Sequence, residues 1–296
     1  MEFDAFRMDG LGNDFVIIDQ RKRSVSLTKD QIIKICDRNF LGCDQLIFIQ
    51  NSTISNASMQ FYNSDGSTSG ACGNGTRCVA YLISEEEKNK NISLNVDNQI
   101  LNSKILDSKQ VETIIGKPKL NWKDIPINRE LNTRNLELTI SDVDNNKITG
   151  GVGINVGNPH VIFFVNDLEL FDLKKIGPQI ENNEIFPEKC NVTLAQKISN
   201  EHIKIKVWER GAGLTKACGT AACATAVAAN IDELENTVTE IEFKLGILQI
   251  KIDQDKFIHM KGPVSEIQKI TIKLQWEFLK NLKSDLKKVP IIFLLV

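Results

Sequence analysis

At 296 residues the chain is long enough for two domains of ordinary size, each with its own core. With 42% hydrophobic and 25% charged residues and a formal net charge of -2, it reads as a soluble globular protein with no electrostatic reason to bind nucleic acid or an anionic membrane. No run approaches the roughly 20 apolar residues of a membrane span, and MEFDAFRMDGLGND shows no secretory signal, so a cytoplasmic location is expected.

Seven cysteines spread over the chain argue against a secreted disulfide framework. No C-x-x-C pair occurs, and His160, His202 and His259 lie far apart, so no metal site is expected. Any cysteine chemistry here is thiol chemistry.

Taken along the chain, short β-branched or aromatic runs flanked by turn residues predict strands over residues 16–18, 46–49 and 58–62. A glycine-rich approach then opens a predicted helix over residues 73–84, with Val79, Leu82 and Ile83 on its apolar face. The stretch KPKLNWKDIP at 117–126 breaks the periodicity and reads as a linker. Beyond it come predicted strands over 161–165 and 203–208 and a second helix over 219–230, with Ala224, Val227 and Ala228 on one face. The expected division is an N-terminal half over 1–118, a C-terminal half over 119–263, a return of 264–276 to the first half, and a tail over 277–296.

The two halves look like copies of one unit. GNDFVIID around Asn13 is echoed by GNPHVIFF around Asn158, 145 positions on. ACGNGTRC and ACGTAAC place Cys72 and Cys218 146 positions apart, and Gln45 and Asn191 keep the same offset. Each half is strand-rich with one prominent helix, suited to burial within a curled sheet. A pseudo-twofold arrangement would bring both helix starts together.

Each cysteine sits where its helix begins. Unpaired amide groups and a partial positive charge gather there, which should lower a thiol's pKa below about 8.5 and bind an anionic group such as a carboxylate. The glycine after each cysteine lets a ligand approach the backbone. One thiolate and one thiol opposed across a carbon can remove and return a proton on opposite faces, while the amides stabilise an enolate-like carboxylate. A lone cysteine at a helix start is more often core packing. Two at the repeat offset, both in A-C-G context, favour function; Cys36, Cys43, Cys78, Cys190 and Cys223 read as core.

At these residues the chain resembles the diaminopimelate epimerase family of the lysine and peptidoglycan pathway. The match runs from GLGNDFVIID through FYNSDGS, ACGNGTRC, VGNPHVIFF and VWERGAG to ACGT, nearly the whole chain to about Pro263. The resemblance implies an α/β (α+β) fold of two homologous domains in pseudo-twofold arrangement, each a curled, mostly antiparallel sheet around a central helix. It implies interconversion of LL- and meso-diaminopimelate without pyridoxal phosphate or any other cofactor. Cys72 and Cys218 match the acid–base pair, and Gly73, Asn74, Gly219 and Thr220 the positions whose amides hold the reacting carboxylate. Asn13, Gln45, Asn63, Asn158, Asn191 and Arg210 match substrate-contacting side chains. His160 and Glu209 match residues that assist catalysis, Glu209 also contacting substrate.

Diaminopimelate is an amino acid at both ends, and Arg210 can grip a carboxylate bidentately. The asparagines also suit turns, Glu209 and Arg210 a solvent-exposed ion pair, and His160 a structural role. Three features depart from the family: Leu214 in GAGLT stands where an acid is usual, Ala221 follows Cys-Gly-Thr where glycine is common, and the tail LQWEFLKNLKSDLKKVPIIFLLV is long. The expected partner is a small molecule, with no nucleic acid and no membrane; a homodimer is allowed. The rival readings are a proline or hydroxyproline racemase, which shares the two-cysteine plan but needs little polar equipment at the distal end, and an amino-acid-binding or redox-sensing protein whose two thiols form a reversible disulfide.

Overall fold

A computed structural model of the chain describes residues 1–70, 72–96, 99–141 and 146–274. The tail expected over 277–296 lies outside the described residues.

The first half begins with strands β1 (Glu2–Gly10) and β2 (Asn13–Asp19), helix α1 (Lys29–Cys36), and strands β3 (Gln45–Gln50), β4 (Ala57–Asn63) and β5 (Thr68–Ser69). Helix α2 (Gly73–Glu87) and strands β6 (Asn91–Val96), β7 (Gln99–Ile105) and β8 (Gln110–Gly116) complete it. The second opens on a two-stranded ribbon, β9 (Leu138–Ser141) with β10 (Lys147–Gly150). Then come β11 (Val152–Asn155), β12 (Pro159–Phe164), α3 (Leu173–Glu181), β13 (Asn191–Lys197), β14 (His202–Glu209) and β15 (Gly213–Thr215). Helix α4 (Gly219–Ala229) leads to β16 (Thr237–Phe243), β17 (Gly246–Ile252), β18 (Ile258–Pro263) and β19 (Gln268–Lys273).

Strand pairing repeats between the halves. β2 runs parallel to β3, β3 antiparallel to β4, and β4 parallel to β6. β12 runs parallel to β13, β13 antiparallel to β14, and β14 parallel to β16. The halves are joined by β18, which pairs with β8, and by β19, which pairs with β1. The expected fold, two homologous units of mixed, largely antiparallel sheet with few helices, is the one observed.

The continuous apolar runs follow from burial on both faces. Along β2, Phe15 and Ile17 pack in the cluster that holds Val79 and Ile83 of α2, while Val16 and Ile18 pack with Ile32 and Ile35 of α1. Side chains alternate across a strand, so one strand serves an inner and an outer helix. In the second half Ile162 of β12 faces the α4 cluster, and Val161 and Phe163 face Ile176 and Ile180 of α3. The inner helix α4 is apolar on every side, as a helix enclosed by sheet must be, and its alanines keep it slim. Ala221 is fully buried within it, so a small residue fits. Helix α1 is marked by a capping box, Thr28 with Gln31, and α3 by Asp172 at its N-cap.

The helix predicted over 73–84 runs one turn further, to Glu87, and the one over 219–230 ends at Ala229. The predicted linker is tied down: Lys119 exchanges two backbone hydrogen bonds with Asn155, at 2.8 and 3.0 Å, and Ile125 is buried. Among the described residues no helix is long and apolar enough to cross a membrane.

Candidate active site

Cys72 is the N-cap of α2 and Cys218 the N-cap of α4; both have extended backbones, and neither sulfur makes a capping bond. The cysteine carbonyls accept the first helical bonds, from Thr76 and Ala222, which leaves the amides of the first turn free to face the sulfurs. Those of Asn74 and Gly75 face Cys72, and that of Ala221 faces Cys218.

The two helix starts converge on Met260 of β18. A Cβ on Gly73 would stand 2.5 Å from Met260 Cε, and one on Gly219 would stand 2.9 Å from Met260 Sδ and 3.5 Å from Asn74 Oδ1. The glycine after each cysteine thus lets both helix starts pack closely on a shared methionine, in addition to the ligand approach expected from sequence. Glu209, at the end of β14, acts on both thiols and lies against Cys218.

The expected low thiol pKa is overturned. Burial pushes the Cys72 thiol up to about 11 despite the facing amides, and burial with the Glu209 carboxylate raises Cys218 well above its ordinary value. Helix-start amides supply partial charges, whereas desolvation acts on a whole charge. Burial also raises Cys78, Cys190 and, to about 12, Cys223. A thiol with a raised folded pKa stabilises the fold fully below the unfolded value of about 8.5 and loses that contribution as pH climbs through the folded value. Each fully buried thiol is expected to cost about 2 kcal/mol at pH ~10 relative to neutrality. The melting temperature should therefore fall by roughly 10 °C or more over that range. A flat Tm between the two pH values would contradict the burial of these thiols.

The remaining candidates form short linked groups. Asn13 Oδ1 faces Cys72 Sγ at 3.6 Å and accepts from Asn74 Nδ2 at 3.4 Å, while Asn13 Nδ2 donates to Asp44 Oδ2 at 3.0 Å. Thr220 Oγ1 lies 3.4 Å from Cys218 Sγ. Gln45 sits opposite Asn63 in the β3–β4 ladder and donates to its Oδ1 at 3.1 Å and to Ser69 Oγ at 3.2 Å. Asn191 is buried and committed at both ends, donating to Pro159 O at 2.9 Å and accepting from the Arg210 N–H at 2.9 Å. His160 is fully buried with Nε2 on Asn158 Oδ1 at 2.9 Å; burial first and the Arg210 charge second lower its pKa to about 3, so it is neutral. The Arg210 side chain is exposed, its Nη1 donating to Glu188 O at 2.9 Å.

Three contributors were not anticipated. Asp44 fixes the Asn13 amide. Met260 floors both helix starts. Buried Glu181 of α3 accepts from Trp208 Nε1 at 2.7 Å and from Gly211 N at 3.0 Å, bracing the turn after Glu209 and Arg210. Asp44 adjoins Gln45 in sequence, but Met260 and Glu181 carry no local signal. Leu214 is exposed on β15, opposite Trp208.

Two equivalent halves, each enclosing a helix within mixed sheet, define the two-domain fold that solved PhzF-family and proline-racemase structures also have. Solved structures share it: a predicted epimerase from Pseudomonas aeruginosa superposes with a TM-score of 0.66 at 13% identity, over 92% of this chain and 100% of that one. A hydroxyproline epimerase from Agrobacterium vitis, solved with trans-4-hydroxy-L-proline, gives 0.65 at 8% identity, over 92% and 91%. The model of the diaminopimelate epimerase family matches residues 5–121 and 152–267, and the chain belongs to that family. A diaminopimelate epimerase from Pelagibacter ubique is 63% identical over 274 residues, 93% of this chain and 100% of that protein.

Proposed function

We propose that the chain interconverts LL- and meso-2,6-diaminopimelate in lysine and peptidoglycan precursor synthesis, as a cytoplasmic enzyme without pyridoxal phosphate. The observation that carries this reading is the convergence of the Cys72 and Cys218 helix starts on Met260, with Glu209 acting on both thiols. One thiolate takes the α-proton and becomes a thiol; the electron pair moves into the carboxylate held by the amides of the two helix starts. The opposite thiol then protonates the other face and becomes the thiolate, leaving the pair with exchanged roles. With both thiols raised by burial, the α-ammonium of the substrate supplies the positive charge that favours the thiolate.

In this reading Glu209 also holds that ammonium, and Asn13, Gln45, Asn63, Asn158 and Arg210 bind the rest of the zwitterion. Asn191 shapes the site through the Arg210 backbone, and His160, neutral and hydrogen-bonded to Asn158, orients that amide rather than carrying a proton. The polar set suits a long substrate with a charged distal end better than proline.

The test is incubation of the purified protein with LL-diaminopimelate in deuterated water, with no pyridoxal phosphate. Loss of the α-proton signal with inversion supports the reading. Exchange on proline alone selects the racemase, and exchange on neither selects a binding protein.

A further inference from the structure

Glu209 is still part of β14, paired with Gly213 of β15, but Arg210 lies past the end of the ladder and must be held by other means. Its own N–H goes to Asn191 Oδ1 at 2.9 Å. The residues on either side of the Glu209–Arg210 pair end on one carboxylate. Glu181, the last residue of α3, accepts from Trp208 Nε1 at 2.7 Å through Oε2 and from Gly211 N at 3.0 Å through Oε1. The turn so gripped is tight: Ala212 N donates to Glu209 O at 3.1 Å, and Gly211 takes the positive φ, 75°, that suits glycine at the third position.

Two residues of α3 are poor choices for the helix alone. Glu181 is buried, at 5% exposure, and among the described residues no cation forms an ion pair with it. A lone carboxylate is costly in such a place, where an apolar side chain would serve packing better. Gly177, four residues earlier, weakens the helix, yet a Cβ there would stand 2.6 Å from Trp208 Cγ and Cδ2. The glycine admits the indole and the glutamate takes its N–H, so Trp208 and the turn after it account for both.

The first half supplies the comparison. At the 146-residue offset Glu181 corresponds to Ile35 of α1, Trp208 to Tyr62 of β4, and Arg210 to Ser64. Ile35 is fully buried, in the cluster against which Tyr62 packs. The same helix packs on the same strand there through an apolar side chain, so the repeated unit folds without this carboxylate. Glu181 belongs to the half whose strand leads into an arginine.

We propose that Glu181 is a positioning residue for Arg210, holding Trp208 and Gly211 at once so that the turn presents the guanidinium to the distal carboxylate of the substrate. The inference rests on the substrate-binding role given to Arg210 above.

The experiment has one arm without substrate and one with it. In the first, deuterium exchange is followed by NMR. The Gly211 amide of the unaltered protein, although its residue is exposed, should exchange at least about tenfold slower than a free amide of that sequence. Exchange at the free rate overturns the proposal and requires no variant to fold. Glu181→Gln keeps the size but leaves one acceptor oxygen for two donors, so Trp208 Nε1–H or Gly211 N–H should exchange about tenfold faster. In the second arm, Glu181→Gln should raise KM for diaminopimelate about tenfold with kcat changed less, the scale of one lost hydrogen bond to a charged group. Added to Arg210→Met, the same change should raise KM less than about threefold further, because the group it positions is gone. An unmoved KM in Glu181→Gln overturns the proposal, and so does a full tenfold rise on top of Arg210→Met, which a general loss of structure would give. A parent protein inert on diaminopimelate would instead end the substrate reading, and the exchange arm would still decide whether Glu181 holds the turn.

Discussion

Cys72→Ala and Cys218→Ala, made separately, should each lower the rate of inversion by about 10³-fold or more, the scale of a lost general acid or base. Neither sulfur makes a capping hydrogen bond, so the loss should come without unfolding, and the Tm should stay within a few degrees of the parent. The two variants also have distinguishable residual chemistry. With one thiol gone, the other can still take a proton from the face it meets and return a deuteron to the same face. Cys72→Ala should therefore exchange only the stereoisomer whose α-hydrogen faces Cys218, with retention, and Cys218→Ala only the other. Inversion by either variant within tenfold of the parent rate would show that the sulfurs are not the opposed pair. A combined stereochemical and deuterium readout by NMR decides it.

What was legible in the sequence is what is local or repeated. The cysteines announce themselves through an offset of 146 and identical A-C-G contexts, and the inner helices through glycine followed by a run of apolar and small residues. The strands were readable because apolar runs such as FVII are buried on both faces, between α1 and α2. Helix α1 carries its Thr28–Gln31 capping box as a short-range mark, yet its place outside the sheet is a tertiary fact.

The sign of the thiol pKa was not legible for a related reason. The sequence displays the helix start, which lowers the value, but burial, which raises it further, exists only once β18 and the opposite half are in place. Met260 and Glu181 come from strands and helices far along the chain. Their importance follows from what they touch, namely Gly73 and Gly219 in one case and Trp208 and Gly211 in the other. Even the glycines, found from sequence, pack against a neighbour that sequence does not name.

Arg210→Met should raise KM for diaminopimelate about 100-fold with a much smaller change in kcat. Asn191 holds the Arg210 backbone at the end of β14, and one Nη1 bond to the Glu188 carbonyl steadies the head. Among the described residues no carboxylate pairs with the guanidinium, so the fork is available to an arriving one. Charge-assisted bonds to a distal carboxylate are worth about 3 kcal/mol, which is the 100-fold expected. That carboxylate lies away from the carbon undergoing inversion and keeps its charge throughout. It is bound equally in ground and transition states, and the loss therefore falls on KM. Lysine at 210 should recover only part of the affinity, because an ammonium cannot make the planar two-bond grip. A KM within threefold of the parent for Arg210→Met would remove Arg210 from the site. A fall in kcat at constant KM would move it instead to the reacting end, beside Glu209.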